Sequence, residues 1–330
     1  YMNIIIINTG SSSIKFQMLA MPDQKVICSG LVDRIGLGSS NLVYETQNTK
    51  VQEVLDIDNH EAGLKKIAEL LVDPKIGVIK DTSEITAVGH RVVHGERYSD
   101  PKKITEKVKE KIKDLFLLAP LHNPAHLQGI NVAEEIFSDA EHIAVFDTAF
   151  FQTIPEVAHK YAIPNEIADK YHIRQYGFHG TSHKFVSERA IEFLGVKESK
   201  IITIHLGNGC SITAVKDGKS IDHSMGFSPA NGLIMGTRSG DIDHSVVFYL
   251  NDLGFSVKEI SDLLQKKSGM LGLTGYSDLR DIERLAEEGN KDCLLALAMN
   301  AYRIKKFIGS YTAAMGGLDA IVFTAGVGEN

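Results

Sequence analysis

The sequence predicts an α/β protein built from two related halves. Three observations carry that prediction. Its 330 residues exceed what a single core usually serves, so two domains are expected. Apolar strands and helical stretches are interleaved in both halves. One unusual element also occurs twice: "IIIINTGSSSIKF" near the start and "IITIHLGNGCSITAV" in the second half. Each gives an apolar strand, a small-residue turn and a return strand that opens on isoleucine. Two such hairpins point to two α/β halves facing one cleft. A chance likeness between two Gly/Ser turns is the competing account.

In the first half, Asn3–Asn8 and Ser13–Leu19 pair as a hairpin, and Val26–Arg34, Leu42–Glu45 and Val51–Ile57 extend the sheet. A helix runs from about Glu61 to Leu71, and a buried strand lies around Ile85–Gly89. Asn123-Pro124 opens another helix, with Asn as cap and proline at the first helical position. It ends near Phe137 and leads to the strand His142–Phe146, which stops at Asp147.

In the second half Thr181 caps a helix through Leu194, closed by Gly195. Strands Ile201–Leu206 and Ile212–Lys216 flank the turn "GNGCS", and Asp217-Gly218 turns into a further strand. A helical stretch from Phe255 to Met315, broken near Gly269–Gly275 and Gly289, precedes a last strand, Ala320–Thr324, which runs into "AGVGEN". The domain boundary implied is 1–148 and 149–330.

Composition excludes several classes. Thirty-five basic against 42 acidic residues give a net charge of −7, which argues against broad nucleic-acid binding but leaves room for a small anion held by a few arginines. No apolar run approaches the ~20 residues of a membrane span. The N-terminus shows no signal peptide, and Tyr1 ahead of Met2 reads as an appended residue. Three widely spaced cysteines, Cys28, Cys210 and Cys293, suit a reducing cytosol better than a disulfide framework or a zinc cluster.

Glycine-rich turns follow apolar strands at Asn8–Ser13, Gly207–Ser211 and Gly326–Asn330. Such turns expose backbone N–H groups with little side-chain bulk, which suits a phosphate chain. None completes G-x-G-x-x-G, and the first lacks the P-loop pattern, so neither fingerprint applies. Arg91 in "GHRVVHGE" and Arg238 in "GLIMGTRSGDID" sit among apolar and glycine residues. Either is a salt-bridged edge residue, or the two capture a carboxylate or a transferring phosphoryl group.

Three histidine pairs, His90/His94, His122/His126 and His179/His183, have i, i+4 spacing. None forms H-E-x-x-H, so zinc is not expected. His179 in "YGFHGTSH" either donates to an anion or completes a helix cap, and His122 in "LAPLHNP" is placed alike. Asp147 in "AVFDTAFF" is an acid among apolar residues; it either pairs with an arginine, coordinates metal or orients a catalytic group.

Together "NTGSSSIKF", "HRVVHGE", "LAPLHNP", "VFDTAFF", "YGFHGTSH", "HLGNGCS", "MGTRSGDID", "SDLRDIE" and "AGVGEN" resemble, in order and across essentially the whole chain, the motifs of the acetate kinase family. The resemblance implies two duplicated actin-like (ribonuclease H-like) α/β domains closing on ATP. It also implies a reversible, magnesium-dependent transfer between ATP and acetate that gives ADP and acetyl phosphate, with Mn2+ as a possible substitute. Carried over by motif, Asn8 helps hold magnesium, Lys15 contacts the nucleotide phosphates and Arg91 binds the acetate carboxylate. Asp147 is the catalytic carboxylate that positions Arg91 or the metal. His179 and Arg238 stabilise the transferring group, with His122 nearby. His205, Leu206, Gly207, Asn208 and Gly209 line the phosphate tail. Asp278, Leu279, Arg280, Gly326, Val327, Gly328, Glu329 and Asn330 surround the adenosine. Val93, Leu121, Phe178 and Pro229 wall the acetate methyl. A cytoplasmic homodimer with no nucleic-acid or membrane partner completes the picture.

Two departures stand out. The family usually reads T-P-L-E-G before M-G-T-R, where this chain has "SPANG", Ser228–Gly232. Family members also continue past G-V-G-E-N, with a glutamate of the magnesium site and a terminal helix, so a shortened chain with impaired metal binding is expected. Propionate kinase is the nearest rival, butyrate kinase a more distant one. A non-enzymatic nucleotide switch, like actin and the heat-shock chaperones of the same superfamily, is the third.

Overall fold

The computed structural model describes residues 2–329, and the chain divides into two compact units after Ala149. In the first unit, strands β1 (Met2–Thr9), β2 (Ser13–Met21), β3 (Lys25–Asp33), β4 (Ser40–Thr46), β5 (Lys50–Leu55), β6 (Ile85–Val92), β7 (Lys102–Lys103) and β8 (Glu141–Phe146) form one sheet, in the order β5-β4-β3-β2-β1-β6-β8-β7. Strands β1 to β5 run as an antiparallel meander. On the other flank β1, β6 and β8 are parallel.

In the second unit β9 (Lys200–Leu206), β10 (Cys210–Lys216), β11 (Lys219–His223) and β12 (Ala320–Thr324) form a sheet in the order β11-β10-β9-β12, with β9 and β12 parallel. The repeat seen in the sequence is therefore a repeat of sheet topology. Strand β1 sits between antiparallel β2 and parallel β6, and β9 sits between antiparallel β10 and parallel β12.

The two central strands differ in how they are covered. Along β1, Ile5 and Ile7 are buried while Ile6 is 41% exposed, the period-two pattern of a half-covered strand. In β9, Ile201, Ile202, Thr203 and Ile204 are all buried, as expected for a strand covered on both faces. The helices Gly180–Leu194 and Lys291–Met315 both pack on it.

Two helix starts lie elsewhere than their side-chain types suggest. His122, not Asn123, is the N-cap of the helix Asn123–Ile136. Asn123 is buried instead, its Oδ1 accepting from the His94 N–H (3.1 Å) and its Nδ2 donating to the His94 carbonyl (3.0 Å). His179, with a left-handed φ of 60°, takes the cap position assigned to Thr181, and Gly195 closes that helix at φ 64° as expected. In both cases a tertiary hydrogen bond or a strained backbone overrides local capping preference.

The helices Glu106–Asp114 and Ser245–Asp252 were not legible. The first buries only Val108 and Ile112, and the second, "SVVFYLND", is rich in β-branched and aromatic residues. Where a break was read at Gly269–Gly275, the chain makes a short helix, Gly269–Thr274, before Gly275 turns left-handed.

Gly129 lets its helix close on the end of β1: a Cβ there would stand 2.4 Å from Thr9 Oγ1 and 3.0 Å from Thr9 Cβ. Alanine would gain helix propensity of roughly 0.5–1 kcal/mol, but overpacking costs about 1–3 kcal/mol. Gly129→Ala is therefore predicted to lower the urea midpoint; an unchanged or raised midpoint would refute the close packing.

Candidate active site

The parallel pairing of β1, β6 and β8 delivers three candidate residues to one edge of the first sheet. Ile7 is level with His90, and Val92 with Phe146, so Asn8, Arg91 and Asp147 emerge at the carboxyl ends of adjacent strands. That edge is where open α/β sheets hold ligands. Lys15 is the register partner of Asn8 across the hairpin and is exposed.

Asp147 is buried, and Arg91 meets it with a two-pronged bond, Nε to Oδ1 at 3.0 Å and Nη2 to Oδ2 at 2.6 Å. The carboxylate raises the Arg91 pKa above its ordinary value, against the effect of burial. The Arg91 side chain remains 38% exposed. Its Nη1 makes no hydrogen bond among the described residues.

His122 heads the helix that follows, with Leu121 beside it 51% exposed. His126, one turn on, accepts the Val93 N–H at Nδ1 (3.2 Å), and burial, helped by Arg91, pushes its pKa down to about 3. Val93 itself is buried.

In the second unit the candidates gather on the turn after β9. A Cβ on Gly209 would lie 3.3 Å from His179 Nε2 and 3.9 Å from Arg238 Nη1, so imidazole and guanidinium converge on a backbone position without a side chain. His179 Nδ1 lies 2.9 Å from Ser211 Oγ, and Ser211 lies 2.7 Å from Nε2 of buried His183, whose Nδ1 meets Thr203 Oγ1. His205 stacks on His179 (ring centroids 4.2 Å) and is fixed by Ser182. Phe178 is buried, its N–H donating to His223 Nε2.

Arg238 differs from Arg91. Its Nη1 donates to the Pro229 carbonyl (3.1 Å) and lies 3.9 Å from Met235 Sδ, and no carboxylate pairs with it among the described residues. Burial accordingly lowers its pKa from the ordinary value.

The same turn opens into a cavity of about 390 Å³, lined by Leu206, Gly207 and Asn208 at one end and by Ile234, Met270, Asp278, Leu279, Asn300 and Val327 beyond. Asp278 caps its helix and holds Arg280 by both carboxylate oxygens, and the Arg280 side chain is 89% exposed rather than in the lining. Gly326 and Gly328 belong to the short helix Ala325–Gly328, with Glu329 next to it; Asn330 lies outside the described residues.

Sequence reasoning missed Cys210, Ile234, Met235, Gly236, Met270, Ser277 and Asn300, all in this lining. A Cβ on Gly236 would stand 2.1 Å from Asn208 Oδ1, so the Arg238 loop approaches the turn closely at a position without a side chain. Among the described residues no three His, Cys, Asp or Glu side chains are grouped to hold a metal.

Residues 3–330 match the model of the acetokinase family. The chain belongs to that family. An acetate kinase of Flavobacterium johnsoniae is 67% identical over 331 residues, covering 100% of this chain and 84% of the relative. Among solved structures, Porphyromonas gingivalis acetate kinase superposes with a TM-score of 0.94 at 47% identity, over 100% of this chain and 84% of that one. A propionate kinase from Francisella tularensis gives 0.96 at 44% identity, over 100% and 85%. The expected α/β class, with two actin-like domains, therefore holds. Of the two kinase readings, acetate kinase is the better supported, since the curated relatives carry that name.

This acetokinase-family chain keeps many histidines out of water. Burial pushes His90 and His126 to about 3 and His94 to about 4, and holds His183 and His223 well below 6.5. Because the unfolded chain binds these protons first, their contribution to stability is complete above pH 6.5 or so and is lost as the pH falls toward the folded values. Asp222 and Asp241, raised by burial, act in the opposite sense but are outnumbered. The unfolding free energy from denaturant melts is predicted to fall between about pH 6.5 and pH 4.5, more steeply than the roughly 1.4 kcal/mol per pH unit of one proton. A flat profile over that span would show the histidines to be solvated.

Proposed function

We propose that the chain transfers the γ-phosphoryl group of ATP to acetate, giving acetyl phosphate and ADP, and catalyses the reverse reaction with the same groups. Family membership makes it a kinase. One observation carries the finer reading: Arg238, lacking a carboxylate partner, converges with His179 on the Gly209 turn at the mouth of a nucleotide-sized cavity. A cation set so against bare backbone is suited to an anion, and phosphoryl transfer needs its equatorial oxygens neutralised.

The roles follow from chemistry. A carboxylate is already ionised at neutral pH, so the nucleophile needs no base. An acetate oxygen attacks the γ-phosphorus while the bond to the bridging oxygen breaks and ADP leaves with the charge. Arg91, oriented through Nε and Nη2 by Asp147, is assigned to the acetate carboxylate through its remaining Nη1. Asp147 thus positions rather than abstracts. Lys15 and the turn Gly207–Gly209 are assigned to the phosphate tail. A divalent ion carried on phosphates needs only one or two protein oxygens, and the Asn8 side chain offers one. Magnesium there would screen the charge between the phosphates and the incoming carboxylate.

The reading includes a homodimer in the cytosol. Phe248, Tyr249 and Leu253 leave apolar surface on the second unit, 63%, 65% and 59% exposed. Propionate remains the second reading because of the propionate kinase neighbour; a single methylene discriminates by only ~1–3 kcal/mol.

Acetate-dependent ADP formation tests the proposal, and kcat/KM for acetate against propionate decides the acid. Arg238→Ala is predicted to lower kcat about a hundredfold, roughly 3 kcal/mol, with the KM for ATP little changed. A loss under about tenfold would remove Arg238 from the transition state.

A further inference from the structure

The sheet of the second unit carries a line of polar side chains inside its core. Thr203 of β9 and Ser211 of β10 are both fully buried. The two strands pair antiparallel, with Ser211 level with His205 and Thr213 level with Thr203, so these side chains share one face. His179 and His183, one turn apart at the start of the helix Gly180–Leu194, meet that face. Thr203 Oγ1 lies 2.7 Å from His183 Nδ1, His183 Nε2 lies 2.7 Å from Ser211 Oγ, and Ser211 Oγ lies 2.9 Å from His179 Nδ1. Only the last member, His179, has a part in the proposed transfer.

The line has a direction, set by its hydrogens. Burial keeps His183 neutral, with one N–H and one acceptor nitrogen. Among the described residues the Thr203 hydroxyl meets His183 alone, so its hydrogen is paired only when it points to Nδ1. His183 then carries its hydrogen on Nε2 and donates to Ser211, and the Ser211 hydroxyl donates to His179 Nδ1. Run the other way, the line leaves the Thr203 hydrogen buried and unpaired. His223 is decided differently: it accepts the Phe178 N–H at Nε2, which puts its own hydrogen on Nδ1, toward Thr213. No backbone N–H reaches the His183 ring among the described residues, so there the hydroxyl decides.

With Nδ1 accepting, neutral His179 carries its hydrogen on Nε2, the nitrogen set against the Gly209 turn. We propose that Ser211 and His183 are positioning residues: the line from Thr203 holds His179 in its Nε2–H form, a donor aimed at the transferring phosphoryl group. The catalytic part rests on the transfer reading above; the choice of tautomer does not.

Long-range 1H–15N spectra of the whole chain, labelled at histidine and assigned with His179→Asn and His183→Gln, read each tautomer directly. His179 and His183 are expected with the hydrogen on Nε2, and His223 with it on Nδ1. Thr203→Val removes the hydroxyl at the head of the line and should turn His179, at its far end, into a mixture of tautomers. Thr203→Ser, which keeps the hydroxyl, should restore the Nε2–H form; a merely structural role would not separate these two variants. Ser211→Ala should also mix the His179 tautomers and lower kcat about tenfold, the loss typical of removing a partner that orients a histidine. The KM for ATP should stay within about twofold. If Ser211→Ala has a lowered Tm, the two Thr203 variants decide. Hydrogen on Nδ1 of His179 or His183 in the native chain, or a His179 spectrum unmoved by Thr203→Val and Ser211→Ala alike, overturns the relay. An unchanged kcat in a folded Ser211→Ala overturns its bearing on catalysis. No acetate-dependent turnover by the native chain overturns the transfer reading, and the spectra then decide the relay by themselves.

Discussion

A strand that pairs antiparallel on one flank and parallel on the other is the constraint on which both units depend. The antiparallel partner must return through a short turn at the strand's carboxyl end. The parallel partner ends at that same edge, having crossed over from elsewhere in the chain. Turn and strand end are thereby forced together. In the first unit this sets Lys15 across from Asn8 and places Arg91 one strand away. In the second it sets the Gly207–Gly209 turn beside the end of β12, where Val327 joins the cavity wall. The sites are consequences of pairing rather than of any loop's own preference.

The two arginines show how one side chain serves two ends. Arg91 is paired, and pairing costs it affinity for further anions while fixing its plane; what it retains is a directed N–H. Arg238 is held only by a carbonyl and a thioether, neither of which cancels its charge. A guanidinium in that state pays for its burial only when an anion arrives, which favours a group whose charge grows during reaction. The neutral, buried histidines around His179 reinforce this, since protonated neighbours would compete for the same anion.

Much of this was legible because it is short-range. The hairpin repeat, the apolar strands and the bare glycine turns follow from residue type and spacing, and the strands fall close to the predicted bounds. The helix starts at His122 and His179 were not legible: what decides them is the partner of Asn123 across the fold and the left-handed backbone of His179. Within the candidate site, Arg91 with Asp147 was legible as a pair of alternatives. Asn300 was not, because one asparagine in an apolar helix says nothing until the cavity behind it is known.

The "SPANG" loop shows why a departure from the family's motif need not disturb the site. What the loop contributes is a carbonyl, that of Pro229, to Arg238. Its position is set from outside. Asp241 accepts the Gly232 N–H at 2.8 Å, and its own N–H returns to the Gly232 carbonyl at 2.8 Å. Gly240, at φ 68°, packs so closely that a Cβ would stand 2.5 Å from the Gly232 oxygen. On the loop's own side the atoms held are backbone, the Pro229 carbonyl and the Gly232 N–H and carbonyl, so the intervening side chains, Ala230 and Asn231, can change while the Arg238 geometry stays.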